Sequence, residues 1–272
     1  MLLLISSPGN LRYMRGLRDI VFVLASSLLL IAHAAPLVVP RGLLGTTWIE
    51  ASISSDVFLN DPKDKELFST TLTGVKLGQR LTPRGKYNAG LYLLSGTYKG
   101  HPGSSLVLKI MKSTDNAALG EAKALREIGD LVASGMLSDK LVSRQPVPVI
   151  IMLKKPGDVL STTKAYKEAN VAIKEQMRTQ TNKLKCEKVA SLAVTKHILH
   201  LDNHEGNGLV TLSGNTVASL ELIDFGVPDT YLVRKSVKEA DVAEIESPIS
   251  LMNVLSHAES CNATEETMQC KI

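Results

Sequence analysis

His200-Leu201-Asp202-Asn203-His204-Glu205-Gly206-Asn207, followed a little further on by Leu222-Ile223-Asp224-Phe225-Gly226, are the stretches that decide how this chain folds. Between them, residues 209–212 and 218–223 read as two short strands around the turn Ser213-Gly214-Asn215, a hairpin. Such a hairpin returns Asp224 to the neighbourhood of Asp202 and Asn207. With this composition the pattern HxDxxxxN arises by accident in roughly one of a hundred chains, and a DFG shortly after it in roughly one of a thousand.

Upstream, residues 161–199 contain neither Pro nor Gly, and Leu184, Val189, Leu192, Ala193 and Ile198 fit one long helix or two consecutive ones. Lys154-Lys155-Pro156-Gly157 breaks the chain before it, and the apolar run 147–153 reads as a buried strand. Residues 116–135 read as a helix, with Ala118, Ala122, Leu125, Ile128, Leu131 and Val132 at helical spacing and Gly135 at its end. Earlier still, 90–94 and 106–111 are β-like runs separated by Gly96, Gly100 and His101-Pro102-Gly103-Ser104, and are expected to be antiparallel neighbours. Strands segregated toward the first half and helices toward the second define an α+β protein. A cleft between the halves is the natural ligand site.

Residues 35–74 mix Pro, Gly, Ser and Asp with brief apolar runs and read as a linker passing into irregular structure. Before them, Arg12, Arg15 and Arg18 precede a 13-residue apolar run, 20–32, and Ala32-His33-Ala34 offers small residues for cleavage. Residues 1–34 therefore read as a signal peptide; the apolar run is shorter than the roughly 20 residues of a spanning helix, so no stable membrane anchor is expected. Cleavage removes three arginines and one aspartate, taking the formal charge from +4 to +2 over 238 remaining residues. With 31 basic and 27 acidic residues and no long basic run, a nucleic-acid partner is disfavoured. Cys261 and Cys270 can close a short loop around the sequon at Asn262, which leaves Cys186 as a buried thiol in a helix. The expected location is secreted or in the lumen of the secretory pathway.

The motifs quoted first resemble the catalytic loop and metal-binding motif of the protein kinase-like superfamily. The resemblance spans residues 75–226 and implies a two-lobed fold, with a β-rich N-lobe at about 75–155 and a helical C-lobe at about 156–272. It implies that Asp202 is the catalytic base, that Asn207 and Asp224 hold Mg²⁺, and that the cofactors are ATP and Mg²⁺. It also requires a strand lysine for the α and β phosphates, which Leu106-Val107-Leu108-Lys109-Ile110 supplies, and a helix glutamate to hold that lysine. Glu121, four residues before Leu125, fits that glutamate. Glu127 competes, but lies about 120° away around a helix axis, so only one of the two can face Lys109. His200 takes a structural role in the loop, and His204 stands where many protein kinases have Lys. From spacing alone, His197, His200 and His204 also permit a zinc site.

The chain departs from that pattern in three places. The phosphate-covering glycine loop is not a clean GxGxxG; Gly78, Gly85 and Gly90 are more widely spaced, with Gly85 and Gly90 the candidates for contact with nucleotide. Leu201 replaces the Arg before the catalytic Asp. Only 46 residues follow Gly226, without an APE motif, so a truncated C-lobe is expected. Two functions follow: an atypical kinase-like enzyme that transfers the γ-phosphoryl group of Mg-ATP to a protein or small-molecule hydroxyl, or a secreted pseudokinase or interaction module that keeps the fold and binds nucleotide without turnover.

Overall fold

The structure is a computed structural model, and it describes residues 49–82, 85, 88–140, 142–202 and 204–236. The expected signal peptide at 1–34, the cysteines at 261 and 270 and the sequon lie outside the described residues. In chain order the strands are β1 (Ile49–Ser52), β2 (Leu77–Thr82), β3 (Asn88–Leu94), β4 (Thr97–Tyr98), β5 (His101–Pro102) and β6 (Leu106–Met111). Helix α1 (Asn116–Ile128) follows, then β7 (Leu131–Leu137), β8 (Val147–Leu153) and β9 (Asp158–Val159). Helices α2 (Lys164–Glu168) and α3 (Val171–Lys196) lead to β10 (Ile198–His200), β11 (Gly208–Ser213), β12 (Thr216–Leu222) and β13 (Thr230–Val233). The architecture is α+β, with antiparallel sheets. None of the described helices is long and apolar enough to cross a membrane.

A five-stranded sheet in the order β2-β3-β6-β8-β7 carries the first half. Its strands alternate: Leu106, Leu108 and Ile110 of β6, with Val149 and Ile151 of β8, bury one face. On the other face Met111 and Ile150 join a core shared with Ala118, Ala122 and Leu125 of α1. That helix begins where Asp115 accepts the Ala118 amide hydrogen at 3.1 Å. It ends at Gly129, whose φ of +90° suits a residue without Cβ.

The helix is thus shorter than its apolar spacing suggested. Leu131 and Val132 continue the helical period in sequence, but past Gly129 the chain pairs with β8, and Ala133, Gly135 and Leu137 turn inward at strand spacing. Gly135 lies inside β7, where its would-be Cβ sits 2.3 Å from the Thr70 carbonyl oxygen. The long helical stretch likewise stops at Lys196. His197 then takes a left-handed φ of +56°, and Ile198 and Leu199 enter a strand. Cys186 is buried on α3.

Two smaller sheets build the second half. Hairpin β11–β12, with β9 against β11, is one; β13 between β1 and β10 is the other. Residues 49–74 have little regular structure, yet they are packed rather than tethering. Ile53, Phe58, Leu59 and Phe68 are buried in the core beneath α1, and β1 pairs with β13 near the end of the described chain.

Candidate functional site

Lys109 lies on β6 between Leu108 and Ile110, so the pleat turns it to the α1 side of the sheet. It is 4% exposed, so it does not face solvent. Its Nζ is 2.6 Å from Glu121 Oε1 and 2.6 Å from Asp224 Oδ1. Glu121 is buried because its turn of α1 also buries Ala118, Ala122 and Leu125. Glu127 is exposed, 3.8 Å from Arg126.

The lower side of the site is assembled by the loop after β10. His200 is buried and its Nε2 donates to the Ile223 carbonyl at 2.9 Å, while Nδ1 accepts the Asp202 amide hydrogen at 3.3 Å. Both ring nitrogens are therefore used to tie the loop to the end of β12, and none is left for zinc. Burial first, against smaller favourable interactions, pushes His200 below its ordinary pKa, which keeps the ring neutral. Asn207, also buried, donates from Nδ2 to the Asp202 carbonyl at 3.1 Å. His204 accepts the Gly206 amide hydrogen at Nδ1, and its Nε2 is 3.8 Å from Asp202 Oδ1. Lys185, buried on α3, donates to the His204 carbonyl at 3.3 Å. Asp224 has a left-handed φ of +63°, a costly backbone for a residue with a side chain and one that clusters at functional sites.

The electrostatics of the three-residue cluster are unbalanced. Burial opposes the charge on Lys109, but Glu121 and Asp224 outweigh it and raise the ammonium above its ordinary range. Burial, with repulsion from Asp224, pushes Glu121 up against the pull of Lys109. Asp224, also opposed by burial, is carried below the usual carboxylate range by Lys109. Two carboxylates share one ammonium, leaving a net negative charge whose open side is the half-exposed Asp224. A divalent cation at that edge would relieve it. Asp224 and Asn207 offer oxygen donors there, suited to a hard cation. Among the described residues, no group of three or more His, Cys, Asp and Glu side chains is placed to hold a metal, so any ion would rely on the Asn207 amide and on non-protein oxygens.

Two cavities meet at Lys109, Glu121 and Asp224. One, of about 380 Å³, is a slot with Leu81, Leu91 and Val107 of the five-stranded sheet on one side and Leu209 and Leu222 of the hairpin on the other. Asn207 and Met152 also line it. The second, of about 590 Å³, opens past Asp202 and His204 toward Lys112, Ser113 and Asp229. Gly85 and Gly90 line neither. Their amide hydrogens go to Asn88, Gly85 to its carbonyl at 3.1 Å and Gly90 to its Oδ1 at 3.1 Å, so Asn88 occupies the donors that the sequence offered for phosphate.

The structure therefore brings Lys109, Glu121, Asp202, Asn207 and Asp224 to one cleft and leaves Gly85 and Gly90 off its walls. Sequence reading missed Lys185 and Asn88. A lysine in a helix and an asparagine in a turn carry no pattern that marks them. No protein-family model matches the chain, and no curated protein matches it in sequence.

Proposed function

We propose that this protein is an atypical kinase-like phosphotransferase with a two-lobed fold, using Mg-ATP and a hydroxyl acceptor from a protein or small molecule. The observation that carries it is the buried ammonium of Lys109 joined to both Glu121 and Asp224. The strand that bears Lys109 is followed by the helix that bears Glu121, as the family resemblance requires. The slot is lined by apolar side chains that would cover a base, and Lys109 stands on its wall beside Glu121 and Asp224, where phosphates would meet it.

In this reading Leu81, Leu91, Val107, Leu209 and Leu222 sandwich the adenine and exclude water. Lys109 holds the α and β phosphate oxygens, and Glu121 keeps Lys109 from turning away. Asp224 and Asn207 would hold Mg²⁺, which would supply positive charge to the triphosphate. Asp202 accepts the proton of the acceptor hydroxyl as its oxygen bonds to the γ-phosphorus and the bond to the β-phosphate oxygen breaks, releasing ADP. The acceptor enters through the larger cavity beside Asp202 and His204. The leader-like amino terminus assigns this activity to the secretory lumen or the cell exterior.

Binding without turnover is the second reading, and the capture of the Gly85 and Gly90 amides by Asn88 favours it. Equilibrium binding of ATP with Mg²⁺, measured beside ADP formation in the wild type and in Asp202→Ala, separates the two. The enzyme reading expects both proteins to bind and only the wild type to form ADP. Equal ADP formation by the two proteins, or none by either, removes it.

A further inference from the structure

The segment that precedes the five-stranded sheet grips the candidate site from behind. Asp64 is fully buried in a 3₁₀ turn, Pro62–Glu66, and receives Lys123 Nζ at 2.7 Å and Arg126 Nη2 at 2.6 Å. Both cations belong to α1, which carries Glu121. Lys123 also donates to the Phe58 carbonyl and lies 4.8 Å from the Phe58 ring centre. Burial resists the charge on Asp64, yet Lys123 and Arg126 win, and its carboxyl stays below the usual range. A second grip is steric: a Cβ on Gly120 would sit 2.3 Å from the Ile53 carbonyl oxygen, so helix and segment touch backbone to backbone next to Glu121.

The same segment is fixed at both ends. Its start, β1, pairs with β13, the strand that follows Asp224-Phe225-Gly226, and the Ile53 amide hydrogen goes to the Thr230 carbonyl at 3.2 Å. Its end holds β7, with Leu72 donating to Met136 and Met136 donating to Thr70, each at 2.8 Å. One continuous stretch thus fastens the element carrying Glu121 and the strand just beyond Asp224. These are the two carboxylates that meet on Lys109.

We propose that residues 49–72 are a built-in clamp that keeps the Lys109 cluster assembled without an outside activator, and that Asp64 is a positioning residue acting on Glu121 through α1. The assignment to catalysis rests on the kinase-like reading; the mechanical linkage does not. An element with both ends anchored and its middle salt-bridged to a helix removes the helix's freedom to swing. Control by displacement of α1 then requires that the clamp be released first.

The test uses the full chain in Asp64→Asn and Gly120→Ala, with Arg126→Lys as the charge-conserving variant. Each is checked for native circular dichroism and treated with an acetylating reagent without nucleotide, and acetylation of Lys109 is quantified by peptide mass spectrometry relative to exposed lysines. The clamp predicts at least tenfold faster labelling of Lys109 in D64N and G120A and wild-type labelling in R126K. Should either of the first two variants not fold, hydrogen exchange on the wild type decides: the amides of 53–72 and of α1 must open together, while β6 stays protected. Unchanged Lys109 labelling in folded D64N and G120A, or opening of 53–72 while α1 remains protected, overturns the proposal. Because labelling needs no ATP, a clamp that passes this test in a protein that ignores Mg-ATP refutes the kinase-like reading alone. A failed clamp in a protein that binds Mg-ATP leaves that reading standing.

Discussion

Lys109 and Asp224 stand 115 residues apart in sequence, yet their Nζ and Oδ1 atoms meet at 2.6 Å. The contact joins the five-stranded sheet to the loop after the β11–β12 hairpin, and Glu121 completes it from α1. Stability and the proposed chemistry therefore run through the same three side chains.

Replacing Lys109 with Met keeps the length of the side chain and removes its charge. Glu121 then has no cation in a buried site, and the cost is about 3 kcal/mol, typical of breaking one side of a buried pair. Urea unfolding followed by circular dichroism measures it, as a lower midpoint with an unchanged slope. The kinase-like reading predicts that the same variant forms no ADP.

Acid weakens the fold in two steps. His200 has a depressed pKa, so the unfolded chain binds its proton first, and this contribution to stability is present above about pH 6.5 and lost as the pH falls toward the folded value. Asp64 and Asp224 are also depressed, and their contributions are lost below about pH 4 by the same sign. Each proton steepens the decline by at most about 1.4 kcal/mol per pH unit. Denaturation midpoints from pH 8 to pH 3 show both steps, and His200→Gln removes the first.

A side chain at Gly226 would be tight against the cluster. A Cβ there would lie 3.3 Å from Glu121 Oε2 and 3.8 Å from Asp224 Oδ1. Gly226→Ala is expected to displace the Glu121 carboxylate by a few tenths of an ångström, to cost about 1 kcal/mol of stability, and to weaken Mg-ATP binding severalfold. Titration calorimetry beside a thermal melt distinguishes the loss of affinity from the loss of fold.

Much of this was written in local patterns. Leu106 to Met111 is a continuous apolar run around a lone charge, and the turn Ser213-Gly214-Asn215 divides two strands, so both positions were legible. The end of α1 was not, because Leu131 and Val132 satisfy the helical period as well as the strand period; only Gly129 and pairing with β8 decide between them. The packing of residues 49–72 was hidden more deeply. Ile53, Phe58 and Phe68 follow no period, and Asp64 looks like any surface carboxylate until Lys123 and Arg126 arrive from about sixty residues away. Gly85 and Gly90 misled for the converse reason: a glycine suggests an available amide, and the side chain and carbonyl of Asn88 had already taken both.

The most direct measurement is the thermal melt of the protein with ATP, with and without Mg²⁺, in the wild type and in Asp224→Ala. A ligand held only by the folded state at a hundred times its dissociation constant adds about 2.7 kcal/mol. For a chain of this size that raises the melting temperature by roughly 5–10 °C. The kinase-like account predicts such a rise in the wild type only when both ATP and Mg²⁺ are present, and its loss in Asp224→Ala. A wild-type melting temperature that does not move with Mg-ATP contradicts it.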